Sequence, residues 1–151
     1  MTSVLRPARS DELETLSALC LRSKAYWGYD AAFMTACREE LTLRDTKGVI
    51  VIEGDIEGGT GPLGLAQVLV TDDIADLELL YVHPDAIGQG LGRRLFDWCM
   101  AEARAQGATK LHIEADPHAA AFYEAMGAVE VGRAPSGSIP GRFLPRLIRP
   151  L

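Results

Sequence analysis

Apolar residues at Leu13, Leu16, Leu19 and Cys20 recur three and four apart, the spacing that lines one face of a helix, with Ser10 placed as its N-terminal cap. Ahead of it, Val4-Leu5-Arg6-Pro7 reads as a short strand. A second helical pattern opens at Asp30 and passes through Phe33, Met34, Cys37 and Leu41, stopping near Lys47-Gly48. Val49 to Ile52 and Gly64 to Val70 are β-rich runs joined by a segment holding Gly58, Gly59, Gly61 and Pro62, the composition of a hairpin connection. Leu77 to Val82 is a further run, ended by Pro84.

Downstream the pattern alternates. Leu91, Leu95, Cys99 and Ala103 form one helical face closed by Gly107, and Leu111, Ile113 and Ala115 alternate with His112 and Glu114 as a strand. Ala119 to Met126 reads as a short helix capped by Gly127. Strands follow from Val129 and over Phe143 to Ile148. With strands bunched after two early helices, the expected class is α/β or α+β around a mixed, twisted sheet.

The chain has 151 residues, one domain's worth at roughly 100 to 200 residues per domain, and is 48% hydrophobic and 24% charged, which excludes general disorder. A net charge of −6 argues against nucleic acid as a partner, because polyanion binding needs a basic face. Arg133, Arg142, Arg146 and Arg149 sit in a final stretch without acids, either a solvated edge or a local anion or substrate contact. The three cysteines, Cys20, Cys37 and Cys99, are odd in number and lack C-x-x-C spacing, so a reducing cytoplasm is expected. Neither an export signal nor a membrane span is legible, and no metal site is expected.

Leu79 to Pro84 leads from a strand into Ile87-Gly88-Gln89-Gly90-Leu91-Gly92-Arg93, where a helix begins. Glycines there let backbone approach a ligand, and the unpaired N–H groups of a first helical turn favour a pyrophosphate. A P-loop is excluded by the missing Lys-Ser/Thr, and a dinucleotide fold by the wrong glycine spacing. Alone, such a turn is more often a structural cap. Val82-His83-Pro84 followed by Gly88 to Gly92 nevertheless resembles motif A of the GNAT superfamily of N-acetyltransferases, [Gln/Arg]-x-x-Gly-x-[Gly/Ala]. Gly90 and Gly92 hold the fourth and sixth positions, and Ile87 stands where the family carries Arg or Gln. Asp116 to Gly127 is similar to the family's Asn-x-x-Ala-x-x-Phe-Tyr-x-x-x-Gly, with Asp116 in place of Asn.

The resemblance implies a single acetyltransferase domain over residues 1–151, with about six to seven strands and about four helices. It implies acetyl-CoA as cofactor and direct transfer of acetyl to an amine of a small molecule or peptide, with a homodimer as a candidate assembly. A non-catalytic acyl-CoA-binding or regulatory module on the same fold is the alternative. Leu80 and Val82 would pair with pantetheine, and Ile87, Gly88, Gln89, Gly90, Leu91, Gly92, Arg93 and Asp116 would complete the cofactor site. Tyr123 matches the family tyrosine that protonates the departing thiolate; alternatively it is a core aromatic, although Phe122 already supplies that contact and the spacing turns Tyr123 partly away.

An alkyl amine with a pKa near 10.4 is neutral at pH 7 only at a cost of about 4 to 5 kcal/mol, so a base or water chain is needed. Strict alternation puts Asp76 and Glu78 on one face with Leu80 and Val82, and either carboxylate suits that role or forms a wet edge. Glu78 is favoured as nearer the thioester. Trp27, Tyr29, Asp30 and Arg142 are candidates for acceptor contact, with packing of the first helices and capping by Asp30 as the plain alternative. His112-x-Glu114 lacks the Cys-x-x-Cys that a zinc deaminase would require.

Overall fold

The computed structural model describes residues 3–56 and 58–151. Its elements are β1 (Val4–Pro7), α1 (Leu13–Ala25), α2 (Ala31–Cys37), β2 (Val49–Ile56), β3 (Gly59–Thr71), β4 (Ile74–Val82), α3 (Leu91–Ala105), β5 (Lys110–Glu114), α4 (Ala120–Ala125), β6 (Val129–Pro135) and β7 (Phe143–Pro150). One seven-stranded sheet runs in the order β1-β2-β3-β4-β5-β7-β6. Among the described residues only the central β4–β5 pair is parallel; the remaining pairings are antiparallel.

Two apolar layers sandwich this sheet. On one face Leu95, Phe96, Cys99 and Ala103 of α3 pack on Ile50, Ile52, Ala66 and Leu77. On the other, Leu16, Leu19 and Cys20 of α1 and Cys37 of α2 cover Val49, Val51, Leu65 and Leu79. The uninterrupted run Val49 to Ile52 follows from this, since a strand covered on both faces needs apolar residues at successive positions. All three cysteines are buried and unpaired, and no helix among the described residues is long and apolar enough to cross a membrane.

Several boundaries differ from the sequence reading. Ser10 is not the cap of α1. It opens a 3-10 turn, Ser10–Glu12, where the Glu12 carboxylate accepts from the Arg9 N–H at 2.7 Å. The same carboxylate meets Arg6 at 2.7 Å, and Arg6 also reaches Glu53 at 2.7 Å. Satisfying the buried Glu12 in this way locks the chain entering α1 to the β1–β2 edge. Asp30 does cap α2, accepting from Phe33 N–H at 2.8 Å, but the regular helix ends at Cys37, ten residues before Lys47. Leu41 and Leu43 are buried from the following turns and loop, so apolar spacing continued past the end of the helix.

Candidate active site

β4 and β5 stay paired only from Ile74↔Lys110 to Leu77↔Ile113. Beyond that point β4 continues to Val82 while β5 is drawn towards β7, Ala115 N–H donating to the Pro145 carbonyl at 2.9 Å. One edge of β4 therefore carries backbone groups with no strand partner, a template for an extended ligand with amides. A cavity of about 550 Å³ fills the opening, lined by Leu80, Val82, Ile113, Ala115, Asp116 and Tyr123 among others.

The start of α3 forms the far end of this cavity. Gly90 is its N-terminal cap at φ 77°, a left-handed conformation, and no side chain caps the helix. The first N–H groups of a helix have no intrahelical acceptor, so those of Leu91, Gly92 and Arg93 are free to bind an anion. Ile87, Gly88, Gly90, Leu91, Gly92 and Arg93 all line the cavity. A Cβ built on Gly88 or Gly90 would meet no protein atom within 4 Å, leaving open space beside an N–H cradle. The free β4 edge, the cradle and the cavity joining them fit an adenine-nucleotide thioester such as acetyl-CoA. Gln89 is exposed and lies outside the cavity lining; Ile87, 49% exposed, presents an alkyl surface.

β4 departs from strict alternation. Its pairing with β3 passes from Gln67↔Leu79 to Val68↔Leu77, leaving Glu78 as the extra residue of a β-bulge. Ala75 and Leu77 consequently share the α3 face with Leu80 and Val82, whereas Leu79 and Tyr81 face α1 and α2. The expectation that Asp76 and Glu78 stand on the face of Leu80 and Val82 is overturned: the bulge changes the phase. Asp76 instead accepts a hydrogen bond from His112 Nδ1 at 2.8 Å. Glu78 sits at the bend and lines the cleft. Its low-dielectric surroundings push its carboxyl above the ordinary range, reinforced by Asp76 and Glu114 and opposed by His112. The side chain is exposed on the surface, so partial enclosure rather than full burial causes this shift.

Tyr123 is 6% exposed and Phe122 is only half-buried, which reverses the sequence expectation. The Tyr123 ring lies 5.9 Å from that of Phe96 and 5.2 Å from that of Phe122, yet the residue lines the cavity. Burial first, then Cys99 and Asp116, hold its pKa well above the usual tyrosine value, so the hydroxyl keeps its proton. Burial also pushes the Cys20 and Cys99 thiols up to about 12, far from the thiolate that an acyl-carrying nucleophile requires.

The mouth of the cleft is built on Asp116. Its carboxylate accepts from Lys24 Nζ at 2.8 Å, from the Tyr29 hydroxyl at 2.9 Å and from its own loop at His118 N–H, 2.9 Å. Arg142 Nη2 stands 3.6 Å away and donates to the Tyr29 hydroxyl at 2.9 Å. Burial opposes the charge, but the hydrogen bond from Lys24, with His118 and Tyr29, keeps the Asp116 carboxyl below its ordinary pKa. The Trp27 and His118 rings stack with centroids 4.9 Å apart. Tyr29 and Arg142 therefore meet at Asp116 and Trp27 stacks on the adjacent His118, while the Asp30 carboxylate is engaged at the start of α2. Lys24 was missed, because it lies on a helix 92 positions from its partner and no local pattern marks it.

The model of the Acetyltransferase (GNAT) family matches residues 12–128. Among solved structures, the chain is similar to a GCN5-related N-acetyltransferase from Rhodopseudomonas palustris, with 26% identity over 100% of this chain and 97% of that one and a TM-score of 0.78. PaiA N-acetyltransferase from Thermoplasma acidophilum, in complex with coenzyme A, shares 14% identity over the full length of both chains, with a TM-score of 0.76. The ribosomal-protein-S18-alanine N-acetyltransferase from Escherichia coli shares 20% identity, covering 99% of this chain and 94% of that one, with a TM-score of 0.70. Comparison with the curated proteins finds no match. Because the family match takes in the cradle, both sides of the cleft and Tyr123, the chain belongs to the acetyltransferase (GNAT) family, enzymes that use acetyl-CoA to acetylate amines.

Proposed function

We propose that residues 1–151 form one catalytic domain that moves acetyl from acetyl-CoA directly to an amine of a small molecule or peptide. The observation that carries this reading is the convergence of the α3 cradle, the free edge of β4, Glu78 and Tyr123 on one cavity. Leu80 and Val82 would hold pantetheine through their backbone, and Gly88 to Arg93 the pyrophosphate. When bound, acetyl-CoA supplies an activated acetyl thioester. Glu78, with its raised pKa, takes the proton from the acceptor amine, and Tyr123 donates to the departing sulfur. Protonated, buried Cys20 and Cys99 support direct transfer and a reducing compartment.

Incubating the purified protein and acetyl-CoA with pooled amines should release free thiol. At 100-fold excess over Kd, CoA should stabilise the fold by about 2.7 kcal/mol. Gly90→Asp adds bulk and negative charge at the left-handed cap and should abolish that shift while the protein still folds. Thiol release equal to the amine-free blank, or a ligand shift unchanged in Gly90→Asp, would overturn the proposal.

A further inference from the structure

Between the end of β4 and the α3 cradle lies His83, whose side chain is 8% exposed. Among the described residues, the polar groups within hydrogen-bond distance of its ring are two donors. The Asp85 N–H meets Nδ1 at 3.0 Å, capping the 3-10 turn Pro84–Ala86. Arg22 Nη1, from α1, stands 3.0 Å from Nε2. The exposed Asp85 carboxylate, 3.9 Å from Nδ1, is too far to take part.

These two contacts cannot both be hydrogen bonds. A backbone amide and a guanidinium only donate, and a neutral imidazole has one N–H and one lone-pair nitrogen. With Nδ1 accepting from Asp85, Nε2 carries a hydrogen aimed at those of Arg22; with the other tautomer the conflict moves to Asp85. A protonated ring would oppose both donors. An acceptor placed between Nε2 and Nη1 removes the conflict, because His83 then caps the turn through Nδ1 and donates through Nε2 beside the guanidinium. Charge selects the kind of acceptor. Arg22 is exposed and, among the described residues, has no acidic partner, so an anion gains a charge-assisted hydrogen bond there.

The place of the pair identifies the anion. Ser23 and Lys24, which follow Arg22, and Ala86, Ile87 and Gly88, which follow the His83 turn, line the cleft. β4 ends at Val82, so a pantetheine paired along Leu80 and Val82 brings its phosphate end level with His83. Resting on the acetyl-CoA reading above, we infer that Arg22 and His83 form a phosphate site that takes the cofactor phosphate adjoining pantetheine, Arg22 Nη1 and His83 Nε2–H being its donors. The N–H groups of the α3 cradle hold the remainder of the pyrophosphate.

Arg22→Gln tests this, since the exposed carboxamide removes the cation and offers Nε2–H a carbonyl acceptor. By calorimetry, coenzyme A, dephospho-coenzyme A and phosphopantetheine should each bind the variant about tenfold or more weakly, the loss of one charge-assisted hydrogen bond. Pyrophosphate alone should weaken likewise, while pantetheine, which has no phosphate, should not distinguish the two proteins. The Tm of the ligand-free variant should equal or exceed the native value, because a donor–donor contact has been removed; a structural Arg22–His83 bond would lower it. Nitrogen NMR of the native coenzyme A complex should place the His83 proton on Nε2.

Affinities equal within about twofold, a loss seen with coenzyme A but absent with dephospho-coenzyme A, a Tm lower by more than about 3 °C, or a His83 proton on Nδ1 in the complex overturns the inference. Coenzyme A failing to bind the native protein, with pyrophosphate still bound in an Arg22-dependent way, overturns the acetyl-CoA reading and leaves the phosphate site standing.

Discussion

Replacing Tyr123 by Phe removes one oxygen from the wall of the cleft and leaves the ring. Phe96 and Phe122, with centroids 5.9 and 5.2 Å away, keep their aromatic contacts. Burial first, then the neighbouring Cys99 and Asp116, raise the hydroxyl's pKa, and among the described residues it makes no hydrogen bond, so its loss strands no partner. Stability should change by less than about 0.5 kcal/mol, under about 2 °C in Tm for a chain of this size. Chemistry should respond far more. A thiol of pKa near 8.5 is a stronger acid than this tyrosine, so complete proton transfer to the sulfur is uphill, and the benefit belongs at the low end of the range for general acids, about 10², or about 2.7 kcal/mol.

The measurement is single-turnover thiol release at saturating acetyl-CoA, so that product release does not mask the step, with CoA affinity and Tm determined on the same preparations. A rate about 10²-fold lower at unchanged affinity and Tm assigns the hydroxyl to the reaction. A rate within threefold of the native enzyme would refute the assignment. A Tm lower by more than about 5 °C would instead show the hydroxyl to be a structural partner.

Glu78→Gln should lower kcat/KM for an alkyl amine about 10²-fold and abolish the acidic limb of its pH profile, whereas Asp76→Asn, turned towards His112, should change it less than about threefold; the opposite ranking in the pH–rate profile would move the base to Asp76. Ile87→Arg should tighten CoA binding by about 1 kcal/mol through a charge-assisted contact to phosphate, and calorimetry showing equal or weaker binding would place the phosphates elsewhere. Arg6→Met leaves Glu12, 8% exposed, without its guanidinium and should cost about 2 to 4 kcal/mol at pH 7. Arg6 holds the Glu12 carboxyl below its unfolded pKa, so this stabilisation is present above about pH 4.3 and is lost as pH falls through the lower folded value. Melting curves of the two proteins should therefore converge in acid, and a constant gap would refute the assignment.

The parts legible in the sequence are those governed by local chemistry. Leu91, Leu95, Cys99 and Ala103 predict the buried face of α3 because helical period and burial coincide there. The cradle is equally readable, since a left-handed cap selects Gly90 and the helix start selects the residues after it. Asp30 caps α2 by the same kind of local rule. The motif spacing from Gly88 to Gly92 and from Asp116 to Gly127 carries the family on top of this local logic.

What escaped the sequence depends on pairing between distant segments. The bulge at Glu78 is set by β3, which contributes two residues, Gln67 and Val68, opposite three of β4, from Leu77 to Leu79. Its trace in the sequence is faint: Leu79 and Leu80 are adjacent apolar residues in a strand otherwise read as alternating. That pair marks the change of phase, because each leucine packs into a different core layer. The change of phase also decides the chemistry. Asp76 pairs with His112, its register partner across β4 and β5, whereas Glu78, the bulged residue, is left at the junction of two cavities. Asp116 follows the same rule at the cleft mouth, where its meaning comes from Lys24, Tyr29 and Arg142, each on a different segment of the chain. Reading Asp116 as a weakened Asn counts a lost cofactor contact, whereas its partners make it the group that ties α1, the α1–α2 connection and the β6–β7 connection together. Selectivity for the acceptor should therefore be sought in this cross-segment network and in the walls beyond Glu78, because the motifs that carry the family govern the cofactor half of the cleft.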